Sequence, residues 1–406
     1  MLRLVSRILP RFDFRIDFAA ATDVGLVRQT NEDRVLSSPE HALFGIADGM
    51  GGHAAGEVAA EIALATVRAE VAKPPSLAIL DAYVAAPSMD ARREVFALMR
   101  RVAEAANGAV REARRTTPGQ EDMGTTLDFV LLAQGRAFFA HVGDSRAYLV
   151  RPTATVQLTQ DHVLYDTLRA AGSPIPPRRP ARNPLVNAIG FSASLTVDTC
   201  FVDLGRGDRI LLCTDGVHTA IESEGSLSRF CAKGTVDDVA AGLVKHARDR
   251  GGLDNATAVV LEIRERFVKR AEDSGPSAYD LSVLASCPLL AGMTPAAVLG
   301  ALAAGVEVEV KAGERLPREV ASDLVAYLVL DGLVELADRR KLGPSGLIFP
   351  ESLVGTRRPG DLPIARAESR LVRIRKDDFA EVCEHDSALA AALYQRLAAF
   401  LASGTG

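Results

Sequence analysis

The sequence predicts a chain of two α+β domains. Three observations carry this. The 406 residues suffice for two or three domains at roughly 150 residues each. Strand-like apolar runs and longer helical stretches occur in both parts, with no repeat of fixed period. A charged and then Ser/Gly/Pro-bearing segment at 267–279 reads as a linker before a last third with its own order of elements. The expected boundaries are a tail at 1–11, a first domain at 12–266 and a second at 280–402.

The elements follow in order. Residues 1–11 begin basic, lack the roughly 7–15-residue apolar core of a secretory signal, and read as a tail. Phe12, Phe14, Ile16 and Phe18 alternate with charged residues, the period of a strand with one buried face. Residues 42–47 form a second apolar run, stopped by Asp48-Gly49. Helix is predicted over 56–71 and 90–115, with a proline-containing break at 73–87. Strands are predicted over 125–133 and 136–150, separated by Gln134-Gly135, then over 195–204 and 208–213. The stretch 161–190 is rich in Pro and Arg and reads as a surface excursion placed to touch substrate. A helix at 236–249 and a strand at 256–264 close the domain. The second domain has a short helix entry at 288–295 and strands at 306–310, 324–330 and 333–336 with Gly turns. A final Ala/Leu helix runs over 379–401.

Composition narrows the function classes. Hydrophobic residues are 48% and charged residues 24%, which excludes a disordered chain. No run approaches roughly 18 apolar residues, so no spanning helix is expected and no membrane partner. The net charge of −5 gives no electrostatic case for nucleic acid. The five cysteines show no CxxC spacing and read as buried apolar residues in a reducing, cytoplasmic setting.

The chemistry is carried by acids at strand ends. Glu32 and Asp33 follow the first strand, Asp48 ends the second, and Asp144 ends a later one. Asp215 follows 210–214, and Asp254 precedes the last strand. Glycine stands beside or near most of them, where backbone comes close to a ligand. One such Asp-Gly pair is a turn; several acids gathered at one sheet edge repel unless cations neutralise them. An oxygen-only set suits Mg²⁺ or Mn²⁺ rather than zinc. Arg28 lies four and five residues before Glu32 and Asp33, and a guanidinium holds a phosphate bidentately.

Seven stretches in order resemble the bacterial type of the metal-dependent (PPM, type 2C) Ser/Thr protein phosphatases. They are 22–33 with Arg28-Gln-Thr-Asn31-Glu32-Asp33, 45–53 with Asp48-Gly49-Met50-Gly51-Gly52-His53, 123–126, 141–146, 158–162, 212–216 and 254–257. The resemblance covers about residues 12–265. It implies a four-layer αββα sandwich with a two-metal cleft at one edge. It implies that Asp48 bridges two Mn²⁺ or Mg²⁺ ions, that Asp215 and Asp254 complete one site, and that Glu32 and the Gly49 carbonyl serve the other. Asp33 would hold a bound water, and Asp144 would bind a third, looser ion with Asp215. Arg28 would clamp the substrate phosphate and Asn255 would steady the last loop. The reaction implied is hydrolysis of phosphoserine and phosphothreonine by direct attack of a metal-bridging water. His53 is the candidate general acid, with support of the Gly loop as its alternative role; animal members carry the histidine directly after Asp-Gly, where this chain has Met50. His141 and His162 are expected to be structural, and His218 to face solvent in preference to perturbing the metal edge.

The second domain resembles a cyclic-nucleotide-binding fold, a small β-roll with flanking helices. Its ligand cassette is degenerate here. Glu351 keeps the acid that would meet the ribose, but Asp361 falls where an arginine would meet the cyclic phosphate; Arg357 or Arg358 would have to substitute. A carboxylate facing that anion is repulsive. Docking, dimerisation or autoregulation is therefore expected of this domain ahead of cyclic-nucleotide binding. The expected partners are phosphorylated proteins, Ser/Thr kinases or their substrates. The alternative readings are an inactive phospho-binding scaffold and a small-molecule phosphatase.

Overall fold

Backbone pairing adds a strand where a tail is predicted. β1 (Leu2–Ile8) runs antiparallel to β2 (Phe14–Asp23). The computed structural model describes the chain apart from residues 1, 52–54, 119–121, 152–153, 165–166, 168–183, 222–223, 267–282, 285, 294–297, 299–300, 302–304, 318–323, 356–361, 386 and 404–406. The linker at 267–279, His53, Asp361, Arg357 and Arg358 lie outside the described residues. By its contacts the chain divides into two units, Met1–Ala271 and Glu272–Gly406.

In the first unit β3 (Asp33–Ser38) and β4 (Leu43–Met50) form a hairpin. Three helices follow: α1 (Ala55–Val71), α2 (Pro74–Ala85) and α3 (Met89–Thr116). α2 fills the predicted break, because its prolines occupy the first turn, where a missing N–H costs no helical hydrogen bond. α3 is started by Ser88, whose side chain accepts from the Ala91 N–H.

β5 (Gly124–Thr125), β6 (Leu127–Ala133) and β7 (Arg136–Val142) come next, then β8 (Arg146–Arg151) and β9 (Ala154–Gln157). The predicted single run 136–150 is thus two strands in different sheets, split at the Gly143–Ser145 turn. β10 (Asp198–Asp203) is shorter than predicted; β11 (Arg209–Cys213), α4 (Asp215–His218), α5 (Glu224–Cys231), α6 (Val236–Asp249) and β12 (Ala256–Arg266) complete the unit. α6 opens with a Thr235–Asp238 capping box.

One six-stranded sheet has the order β1-β2-β12-β11-β8-β9; the other has β10-β7-β6-β4-β3 with β5 on β4. Alternation sorts each strand's residues between two cores. Phe18 of β2 meets Phe44 of β4 edge-on, ring centroids 4.8 Å apart, between the sheets. On the outer faces, Leu43, Leu127 and Phe138 pack with Ala59 and Ala63 of α1 and Val95 and Met99 of α3. Ala19, Leu211 and Val260 pack with Val239, Leu243 and Ala247 of α6. The order of layers is helix, sheet, sheet, helix.

The second unit contains a sheet of β13 (Gly305–Val310), β19 (Ser369–Arg375), β14 (Val325–Asp331) and β17 (Leu347–Ile348). A second sheet joins β16 (Lys341–Leu342), β15 (Val334–Glu335) and β18 (Ile364–Ala365). Val310, Tyr327, Val329, Ile348 and Leu371 form its core. The predicted last helix is two, α7 (Lys376–His385) and α8 (Ser387–Ala402). Glu351 lies exposed on a short 3-10 turn, Pro350–Leu353. No helix among the described residues is long and apolar enough to cross a membrane.

Candidate active site

Strand register brings the predicted acids to one edge of the sandwich. Asp33 and Asp48 are opposite partners on β3 and β4. Ala256 pairs with Asp23, so Asp254 and Asn255 meet the loop that leads from β2 to Glu32. Asp215 heads α4 directly beyond β11, and Asp144 occupies the β7–β8 turn.

Hydrogen bonds from neighbouring backbone and hydroxyl groups hold each acid. Asn255 Oδ1 accepts from the Glu32 N–H at 2.8 Å, and its Nδ2 donates to the Val24 and Thr30 carbonyls at 3.0 and 2.9 Å. The Gly56 N–H donates to the Glu32 carboxylate from the first turn of α1. Thr214 Oγ1 donates to Asp33 Oδ2 at 2.9 Å while accepting from the Thr257 N–H at 3.0 Å. The Asp48 N–H donates to Thr126 Oγ1 at 2.9 Å, and the Asp48 carbonyl accepts from Thr126 N–H and Thr125 Oγ1, each at 2.9 Å. Ser145 Oγ stands 2.9 Å from Thr126 Oγ1, which ties this network to the Asp144 turn. Thr126, Thr214 and Thr257 lie within the motif stretches 123–126, 212–216 and 254–257, but sequence reasoning gave them no role; only Thr214 stands directly beside an acid in the chain, Asp215.

Glycine makes the approach of α1 possible. A Cβ on Gly49 would stand 2.1 Å from the Gly56 carbonyl oxygen and 2.8 Å from that of Glu32.

Burial and mutual repulsion dominate the electrostatics. Burial pushes the Asp33 carboxyl up to about 7 against the hydrogen bonds of Thr257 and Thr214, with Asp215 and Asp254 adding repulsion. Asp48 is held well above the usual carboxylate range by burial and then by Asp33, Asp215, Asp144 and Asp254. Burial, Asp215 and Asp161 push Asp144 up to about 7. Asp215 is raised by burial and the Asp254 charge, while a hydrogen bond with Asp48 works the other way. Asp33 Oδ1 and Asp215 Oδ1 are buried with no hydrogen-bond partner. One of these acids has a cation as partner: Arg28 Nη2 donates to Asp254 Oδ2 at 2.8 Å. Among the described residues no group of three Asp, Glu, His or Cys side chains is already arranged around one ion.

The histidines near this edge brace it. His218 does not face solvent as predicted. Its Nε2 stands 2.9 Å from the Asp144 carbonyl, and burial, then Arg146, lowers it to about 4, so it donates as a neutral ring. His162 Nδ1 accepts from the Gly143 N–H at 3.1 Å and from Asn187 Nδ2 at 2.8 Å, and its Nε2 faces Asp198 at 3.1 Å. Arg146 grips Asp161 with Nε and Nη2 at 2.9 and 2.7 Å, so motif residues around 144 and 161 clamp the same turn. His141 is fully buried between Asp128 Oδ1 at 2.8 Å and the Gln160 carbonyl at 2.9 Å. Two acceptors require two N–H groups. Burial opposes that charge, but Asp128 outweighs it and raises His141 to about 9.

This yields a stability expectation. The folded His141 value lies above its ordinary 6.5, so its contribution is fully present below that pH and is lost as pH rises through about 9. The urea midpoint should therefore fall between these pH values, and His141→Gln should flatten the fall. A variant with the same pH profile as the parent would contradict it.

The family described as protein phosphatase 2C matches residues 27–236. The serine/threonine protein phosphatase PstP of Mycobacterium tuberculosis is 34% identical over 259 residues, 63% of this chain and 46% of that protein. The chain thus spans about half the length of that relative. The serine/threonine phosphatase stp of Listeria monocytogenes is 30% identical over 247 residues, 59% of this chain and 93% of that protein. A crystal structure of the PstP catalytic domain in complex with two manganese ions aligns with a TM-score of 0.51 at 31% identity, covering 62% of this chain and 99% of that one. The acids at the sheet edge, the order of layers and the match over 27–236 agree, and the chain belongs to the protein phosphatase 2C family.

Proposed function

We propose that the chain is a metal-dependent protein phosphatase acting on phosphoserine and phosphothreonine. One observation carries this: five aspartates, 33, 48, 144, 215 and 254, repel one another at one sheet edge, and two of their buried oxygens lack a hydrogen-bond partner. An all-oxygen set with uncompensated charge fits Mn²⁺ or Mg²⁺. Asp48, Asp215, Asp254, Glu32 and the Gly49 carbonyl would hold two ions, Asp33 a water, and Asp144 with Asp215 a third ion. Such cations, when bound, activate water and offset charge on the phosphoryl oxygens.

The chain's own residues supply the rest. Arg28 is the cation at the mouth, half-exposed and paired with Asp254, and turns to a phosphoryl dianion as a charge-assisted donor. Asn255 keeps the loops that carry Glu32 and Asp254 together. Thr214 and Thr257 orient Asp33. His53 is the proposed acid for the leaving oxygen. The relatives' names as serine/threonine phosphatases support phosphorylated proteins as substrates, kinases and their targets among them. We assign the second unit a docking or regulatory role in preference to cyclic-nucleotide binding; the sequence resemblance supports this, since the position at which an arginine would meet the cyclic phosphate falls near Asp361.

The test is Mn²⁺-stimulated phosphate release from phosphothreonine peptides, from p-nitrophenyl phosphate and from sugar phosphates. Preference for peptides is expected. Preference for sugar phosphates would favour a small-molecule phosphatase, and absence of turnover an inactive scaffold. Running residues 1–271 beside the whole chain measures what the second unit does to turnover.

A further inference from the structure

We propose that Leu26, Val27 and Leu253 form a docking rim for a substrate segment with an aliphatic residue next to its phosphorylated side chain, an inference that rests on the phosphatase reading above. These side chains are 61%, 62% and 74% exposed. A single exposed Leu is ordinary; a contiguous apolar group at the mouth of a cleft marks an interaction surface. Leu26 and Val27 directly precede Arg28, Leu253 directly precedes Asp254, and Arg28 and Asp254 are joined at 2.8 Å. The three apolar residues are therefore close chain neighbours of the cation proposed to meet the phosphoryl group and of its carboxylate partner.

The rim is held in place by interlocked backbone. The Leu26 N–H donates to the Gly252 carbonyl at 2.7 Å. Gly25 has φ +81° and Gly252 φ +50°, conformations that favour glycine. A Cβ on Gly25 would stand 2.5 Å from the Asp254 carbonyl oxygen, and one on Gly252 would stand 2.8 Å from the Leu26 nitrogen. Aliphatic groups presented on a fixed frame lose little freedom on contact.

Charge selects the occupant. Beside the rim, Arg248 is paired with Asp23 at 3.1 Å and Arg28 with Asp254 at 2.8 Å; the Arg28 side chain is half-exposed, so a dianion can draw on the guanidinium N–H groups that Asp254 does not use. A phosphopeptide supplies both parts, the dianion for Arg28 and an aliphatic neighbour for the rim.

The experiment uses the whole chain, the double variant Leu26→Ser/Leu253→Ser and the single variant Leu253→Ala, with circular dichroism to confirm folding. Substrates are one phosphothreonine peptide with Leu neighbours, the same peptide with Ser neighbours, and p-nitrophenyl phosphate, all with Mn²⁺. The parent should prefer the Leu peptide, and the double variant should lose about tenfold in kcat/KM on it, through KM. Turnover of p-nitrophenyl phosphate should not change. Equal kcat/KM for both peptides in the parent overturns the proposal. So does a variant that keeps the preference, or one that changes only from dimer to monomer on gel filtration. Absence of p-nitrophenyl phosphate turnover in the parent would instead sink the phosphatase reading itself.

Discussion

Asp215→Asn is expected to lower Mn²⁺-stimulated turnover by about a thousandfold or more while the chain stays folded. The amide keeps the volume and a hydrogen bond to Asp48, so packing at the head of α4 is preserved. It removes one negative charge from a group in which burial and repulsion already raise Asp33, Asp48 and Asp144. The same charge has a second consequence. An aspartate whose folded value is raised takes up more protons folded than unfolded, so stability falls as pH rises from its ordinary value toward the folded one. Removing Asp215 relieves part of that cost. The metal-free variant should melt at or above the parent's temperature at pH 8 and gain less from added Mn²⁺. Parent-like turnover, or a metal-free variant much less stable than the parent, would refute this account of the site.

Gly49→Ala is expected to cost about 3 kcal/mol of stability and to weaken Mn²⁺ binding together with turnover. The added methyl would stand 2.1 Å from the Gly56 carbonyl oxygen and 2.8 Å from that of Glu32, both backbone atoms. No rotamer relieves such an overlap, so α1 must move off β4. Gly56 also donates its N–H to Glu32, and Gly49 follows Asp48 directly, so the movement reaches both acids. In thermal unfolding the loss corresponds to roughly 10 °C for a domain of this size. Calorimetric titration with Mn²⁺ gives the second reading. An unchanged melting temperature with unchanged Mn²⁺ affinity would show that α1 has room to shift.

Local pattern carried much of the fold. β2 was legible from alternating Phe14, Ile16 and Phe18, all buried. α6 was legible as a helix over Val236 to Asp249, and the structure adds the Thr235 cap that starts it. Four features were not. β1 exists through pairing with β2, which its own residues do not announce. α2 hides behind prolines that suit a first turn. The run from Arg136 to Val150 has apolar stretches on both sides of Gly143-Asp144-Ser145-Arg146, and composition cannot tell that this break sends its halves to different sheets. His218 looked like a surface residue because its partner, the Asp144 carbonyl, is 74 positions away.

The sequence by itself determined which residues can bear charge, where strands and helices with a clear local pattern lie, and that acids sit beside glycines in an order typical of one family. Those properties depend on neighbours a few positions apart. Only the tertiary structure decided that Thr214 orients Asp33 across 181 residues, that Arg28 rests on Asp254, and that Leu26 and Leu253 share one rim. Such contacts depend on register between strands distant in the chain, and their strength falls steeply with distances that no single segment encodes.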